Sequence, residues 1–233
     1  MHISDFSLNR VTCEIRYDNA YSLWDKTGEL WTEAAKIWPD IIPQAVDPNR
    51  QSFRVKDKIS LQVDINKAFV IVYHSGIKEI IKEQEKFIKL VRNILDIKLF
   101  IRVGSRFFYE KKCDDQDHAA DLILNTQKLK IPDGNFFNIE GKIKEPSFSF
   151  RIEDDNLGVS QTFKVAIKQY AFEKPIGLDE LESQSLKNII LNYDVDYYTR
   201  LPVKPSQLNV AEWVSQVHHL IKRDSKMVLG DLK

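Results

Sequence analysis

The chain has 233 residues, 43% hydrophobic and 29% charged, a composition typical of a globular fold. Its 34 Lys and Arg balance 34 Asp and Glu, so the net charge is zero and nothing supports nucleic-acid binding through bulk positive charge. No stretch has the length of a membrane span, and Cys13 and Cys113 stand in neither metal nor redox spacing, so both read as free thiols.

The opening Met1-His2-Ile3-Ser4-Asp5 lacks a basic region followed by an apolar run, and with the free thiols this points to the cytoplasm. From Leu8 to Tyr17, Val11, Cys13, Ile15 and Tyr17 alternate with Arg10, Thr12, Glu14 and Arg16, the pattern of a half-buried strand. A helix is predicted from Tyr21 to Trp38, with Leu23, Trp24, Leu30, Trp31, Ala34 and Trp38 in its stripe. Three tryptophans on one face suit an aromatic ligand cage, but the spacing is that of any buried helix face and favours core packing. Pro39 to Pro48 reads as a connection. Gln51 to Ile65 then reads as a hairpin turning at Lys56-Asp57-Lys58.

The strongest periodicity lies between Phe69 and Tyr109. A β-branched and aromatic run, Ala68 to Tyr73, precedes a helix whose stripe is Ile77, Ile80, Ile81, Phe87, Ile88, Val91, Ile94 and Leu95, with Ser75 as its expected cap. Leu99 to Tyr109 follows as a strand. Leu99, Ile101, Val103, Ser105, Phe107 and Tyr109 share one of its faces, and Phe100, Arg102, Gly104, Arg106 and Phe108 share the other. Arg102 and Arg106 project from one side about 13 Å apart, with Gly104 leaving the backbone bare between them. Two readings follow: an anion site over the sheet, or arginines paired with carboxylates on adjoining strands, Gly104 marking a bulge or a close contact.

The acidic run Cys113-Asp114-Asp115-Gln116-Asp117-His118 lacks the spacing of a calcium loop, and Asp114 or Asp115 capping a short helix over Asp117–Leu124 explains it. Asn125 to Lys144, with its turn Pro132-Asp133-Gly134-Asn135, is the expected boundary between halves. Beyond it, Ser147–Ile152 and Phe163–Tyr170 alternate as strands, and Leu178–Leu186 reads as a short helix or ordered loop. In Leu191–Thr199, Tyr193, Val195 and Tyr197 share one face, and Asn192, Asp194, Asp196 and Tyr198 the other. Asp194 and Asp196 are candidate ligands of a divalent ion or an acid/base pair. The alternatives are a solvated face or partners for Arg102 and Arg106. A final helix from Asn209 to Arg223 carries His218 and His219, which point about 100° apart and cannot meet one metal from one helical face.

The expected architecture is a single α+β unit: a largely antiparallel sheet of two similar halves, about 1–125 and 145–233, with long helices packed on one face. Four blocks in order, Cys13-Glu14-Ile15-Arg16-Tyr17, Arg102-Val103-Gly104-Ser105-Arg106-Phe107, Asp194-Val195-Asp196-Tyr197 and Val217-His218-His219-Leu220, resemble a sporadically distributed, functionally uncharacterised bacterial protein family. Ser105 and Phe107 depart from it, where apolar and tyrosine residues are the family's habit. The resemblance implies a bacterial cytoplasmic protein and supplies no catalytic residues. The family's scattered distribution suggests an accessory or defence role.

No nucleophile–base pair, phosphate loop or metal spacing is present, so the leading expectation is a non-enzymatic interaction or regulatory protein that meets a protein partner or itself, without a cofactor. The second is a module for an anionic ligand, a nucleotide or a nucleic-acid end, held by Arg16, Arg102 and Arg106 around Gly104. The third is a metal-dependent hydrolase using Asp194 and Asp196.

Overall fold

The alternating runs and the one-sided helical stripes sort into two layers in the computed structural model, which describes residues 1–126, 128, 142–175 and 181–230. The strands are β1 (Ser7–Arg16), β2 (Ile41–Asp47), β3 (Arg50–Val55), β4 (Ile59–Asp64), β5 (Lys67–Tyr73), β6 (Arg102–Cys113), β7 (Ser147–Glu153), β8 (Leu157–Pro175) and β9 (Leu181–Thr199). The helices are α1 (Leu23–Ile37), α2 (Ile77–Leu95), α3 (Gln116–Leu124), α4 (Val210–Asp224) and the short α5 (Lys226–Leu229). All nine strands join one sheet in the order β2-β3-β4-β5-β1-β6-β9-β8-β7, and every pairing between them is antiparallel. The expected α+β class, with its antiparallel sheet and helices on one face, is what the chain forms. The division is unequal, six strands before the 127–141 stretch and three after it, and β6 pairs with β9 to make the sheet continuous.

Strand alternation separates the two faces. Phe53, Leu61, Val70, Cys13, Ser105, Tyr197, Val159 and Ile152 stand in cross-strand register from β3 to β7 on the helix-covered side. From Phe53 to Tyr197 this row is buried. The α2 stripe covers β5 and β1, α1 and α4 pack against α2, and α3 lies where β6, β8 and β9 meet. Each fully buried side chain of the size of Phe87 or Val91 contributes about 1.5–3 kcal/mol. Burial pushes the Cys13 thiol up to about 12, so it behaves as a small apolar residue. Among the described residues no helix is long and apolar enough to cross a membrane.

Several local expectations need correction. The Pro39–Pro48 connection contains β2, an edge strand whose register shifts between Pro43 and Ala45; an edge and a bulge are the places where a strand tolerates proline. The α2 cap is Gly76, while Ser75 Oγ donates to the Tyr73 carbonyl. Strand β6 starts at Arg102, not Leu99: Phe100 is the buried residue, bridging to Val203, and Leu99 and Ile101 are exposed. Trp38 is buried and its Nε1 donates to Glu83, and Trp31 packs on Phe53, but Trp24 is 53% exposed and donates to Asn49, so the three do not form a cage. Residues 181–186 belong to β9, with 176–180 outside the described residues. Most of the expected 125–144 boundary also lies outside them. Asp115 caps α3 as expected, accepting from the His118 amide at 2.7 Å.

Candidate functional site

The sheet face opposite the helices carries the second register row: Ser52, Gln62, Phe69, Glu14, Gly104, Tyr198, Gly158 and Glu153. Flanking rows add Arg10, Thr12 and Arg16 from β1, Arg102, Arg106 and Phe108 from β6, and Asp194 and Asp196 from β9. Strand alternation alone puts them there, since their odd-numbered neighbours fill the core. The four residues expected to hold an anion, Arg16, Arg102, Gly104 and Arg106, line one hollow of about 320 Å³ together with Asp196. Asp194 lies in an adjoining hollow of about 300 Å³, which shares Arg102, Arg106 and Asp196 with the first.

The arginines and aspartates meet. Arg102 Nη2 donates to Asp196 Oδ2 at 2.8 Å, and Arg106 donates from Nε and Nη2 to the two oxygens of Asp194 at 2.8 and 2.5 Å. The pairing reading of these residues therefore describes the molecule. Gly104 is not a bulge, because neither strand beside it slips register there. A Cβ at Gly104 would meet Asp196, Tyr197 and Tyr198 only at 3.6–3.7 Å, so packing does not demand glycine. Its bare backbone leaves open space between Arg102 and Arg106, and Arg102 crosses that row to reach Asp196, with its guanidinium 4.1 Å above the Tyr198 ring.

The pairs leave donors unused. Arg16 engages Glu14 through Nε only, at 2.7 Å. Arg102 Nε is buried without a hydrogen-bond partner among the described residues. Arg10 makes no ion pair among those residues; its guanidinium lies 4.0 Å over Phe108, whose ring Arg106 also approaches at 4.8 Å. The first hollow thus sets four guanidiniums, Arg10, Arg16, Arg102 and Arg106, against two carboxylates, Glu14 and Asp196. Phe69, Ile71 and Phe108 give it an apolar wall.

Burial raises the Asp196 carboxyl above its ordinary value, and the nearby Arg102 and Arg106 charges only partly offset this. Hydrogen bonding to Asp194 raises the Arg106 guanidinium further. Glu153 is held low by the Tyr198 hydroxyl, which donates to it across Gly158.

Other candidates fare differently. Among the described residues no group of three or more His, Cys, Asp or Glu is placed to hold a metal ion. Asp194 and Asp196 are each engaged by an arginine, so a cation would have to displace a guanidinium. His218 stacks on Phe107 at 5.8 Å and His219 is exposed, so the two are not brought together at a site.

Arg10, Glu14, Phe108 and Tyr198 belong to the site and were not among the residues singled out in the sequence. The signal was present for Arg10 and Glu14, which share their alternating face with Arg16. Arg151 and Glu153 carried none, because their place depends on the β7–β8 register. No protein-family model matches the chain, and no curated protein matches it.

Proposed function

We propose that the chain is a non-enzymatic binding module for an anionic ligand, taken on the uncovered face of its sheet around Gly104. One observation carries the reading: four guanidiniums face two carboxylates in one hollow, and that of Arg10, held over Phe108, makes no ion pair among the described residues. Charge-assisted bonds from arginine to a carboxylate or phosphate are among the stronger polar contacts. The Arg16–Glu14, Arg102–Asp196 and Arg106–Asp194 pairs fix the other three guanidiniums in place, which lowers the ordering cost of binding. The bacterial, cytoplasmic setting implied by the family resemblance belongs to the same proposal.

Titration calorimetry with inorganic phosphate tests it. Arg10→Ala should weaken binding about tenfold, the worth of roughly 1.4 kcal/mol, with the urea midpoint unchanged. Equal affinity in the variant and the parent would remove Arg10 from the site, and an absence of heat in the parent would remove the reading.

A protein-contact role is the second reading, favoured by a different feature. The edge strand β7 presents Phe148, Phe150 and Ile152 along an apolar groove of about 520 Å³ that continues to Met227. Native mass spectrometry of the purified chain separates the two: a multimer that Ile152→Asp dissolves supports contact through β7, and a monomer at all concentrations opposes self-association there.

A further inference from the structure

We propose that the second hollow holds the hydroxyl-bearing part of the same ligand, so that the protein takes a phosphate monoester carried on a sugar ring. The inference rests on the anion reading above. The two hollows share the side chains of Arg102, Arg106 and Asp196, so one molecule can lie across both. Each has the volume of a small-ligand site.

Their chemistry differs in a way that names the ligand. In the first hollow Arg16, Arg102 and Arg106 are paired with Glu14, Asp196 and Asp194, and Arg10 is left in excess among the described residues, which suits a phosphate. In the second, Arg102, Arg106 and Arg151 are matched one for one by Glu153, Asp194 and Asp196, so a second anion gains nothing there. What remains in its lining is hydroxyl chemistry, from Ser160 and Thr162, the Tyr198 hydroxyl already donating to Glu153. Each ionised carboxylate has about four lone-pair sites, and the Arg102 hydrogen bond occupies one of those on Asp196. Free carboxylate lone pairs accept from ring hydroxyls, and Ser160 and Thr162 both donate and accept. A neutral, polyhydroxylated group fits this set, and an apolar group does not. Ser160 and Thr162 stand on β8 directly opposite Asp196 and Asp194, which places donors and acceptors side by side.

Calorimetry on the intact chain with inorganic phosphate, ribose 5-phosphate, ribose and adenosine monophosphate tests the proposal. Ribose 5-phosphate should bind at least about tenfold more tightly than inorganic phosphate. The double variant Ser160→Ala, Thr162→Val should lose most of that margin while its affinity for inorganic phosphate stays that of the parent, with a circular-dichroism melt confirming the fold. Equal affinities for phosphate and its sugar ester would overturn the inference and leave the anion reading standing. A margin that survives in the double variant would also overturn it, since the ring would then lie elsewhere. If neither compound binds, the anion reading falls and this inference with it. Adenosine monophosphate binding tighter than ribose 5-phosphate would support the proposal with a nucleotide as source. Equal binding of the two esters would support it with a sugar phosphate.

Discussion

Arg106 reaches past its own cross-strand neighbour, Asp196, to clamp Asp194, donating from Nε and Nη2 to both carboxylate oxygens. Asp194 is nearly buried, with 11% of its side chain exposed, while half of Arg106 faces solvent. Losing the arginine strands the carboxylate more than losing the carboxylate strands the arginine. Arg106→Ala should cost about 1–3 kcal/mol, the range for a buried acceptor left without its donors. Arg106→Lys should recover only part of this, because an ammonium cannot supply the two-pronged geometry. Urea denaturation measures both, and an unchanged midpoint in Arg106→Ala would show the clamp to be idle.

Asp196 should show itself through acid. Burial holds its carboxyl above the ordinary 3.8, so its ionised form costs stability in the folded chain. That cost is fully present above the raised value. It is released as pH falls from there toward 3.8, because the folded chain then binds more protons than the unfolded one. Asp196→Asn removes this gain on mild acidification. Parallel stability–pH curves for parent and variant would contradict the assignment.

Gly158 and Gly104 lie on either side of Tyr198 in register and should respond unequally to alanine. A Cβ at Gly158 would come within 2.3–2.6 Å of the Tyr198 ring and hydroxyl, which Glu153 and Arg102 hold in place. Gly158→Ala should therefore cost about 1–3 kcal/mol, the range for overpacking. At Gly104 the added methyl makes ordinary contacts and stiffens the unfolded chain, so Gly104→Ala should lie within about 1 kcal/mol of the parent. Thermal melts of the two variants side by side give the comparison, and equal losses would refute it.

His218 supplies a second pH signature with the opposite sign. Burial, then the Lys222 and His219 charges, hold its imidazole below the ordinary 6.5. The stability from keeping it neutral is present above 6.5 and is lost as pH falls from there to the lowered value. His218→Phe keeps an aromatic ring against Phe107 and removes the titration. Its denaturation midpoint should be flatter between neutral and mildly acid pH than that of the parent. A variant with the same pH slope would place the titrating group elsewhere.

Period-two alternation was enough to place Arg102, Arg106, Asp194 and Asp196 on the proper strand faces, because the other side of each strand is mostly apolar, Ser105 being the polar residue in it. It could not show that the two strands are neighbours, since β6 and β9 are far apart in the chain and nothing local encodes their register. The α2 stripe was legible for the same reason as the strands: one face is buried against β5 and β1. Leu99 and Ile101 misled because apolar side chains are also common on surfaces, and a strand is ended by the loss of pairing, not by a change of hydropathy. Trp24 keeps the helical spacing of Trp31 and Trp38, yet it stands exposed with its Nε1 donating to Asn49. Pro43 concealed β2, because an edge position permits what a central strand forbids.

The sheet order also governs how the chain comes together in time. The meander β2 to β5 closes between neighbours, but Arg106 and Asp194 lie 88 residues apart. At a synthesis rate of about 5–20 residues per second, β6 waits roughly 4–18 s for its partner strand to be made. During that interval one side of β6 is an open edge, the element most prone to pair with another chain. Arg102 and Arg106 stand on it as like charges with no aspartate yet present. Two β6 strands from different nascent chains would have to bring four guanidiniums together. Like charges along such an edge disfavour pairing with another chain, until Asp194 and Asp196 arrive to neutralise them.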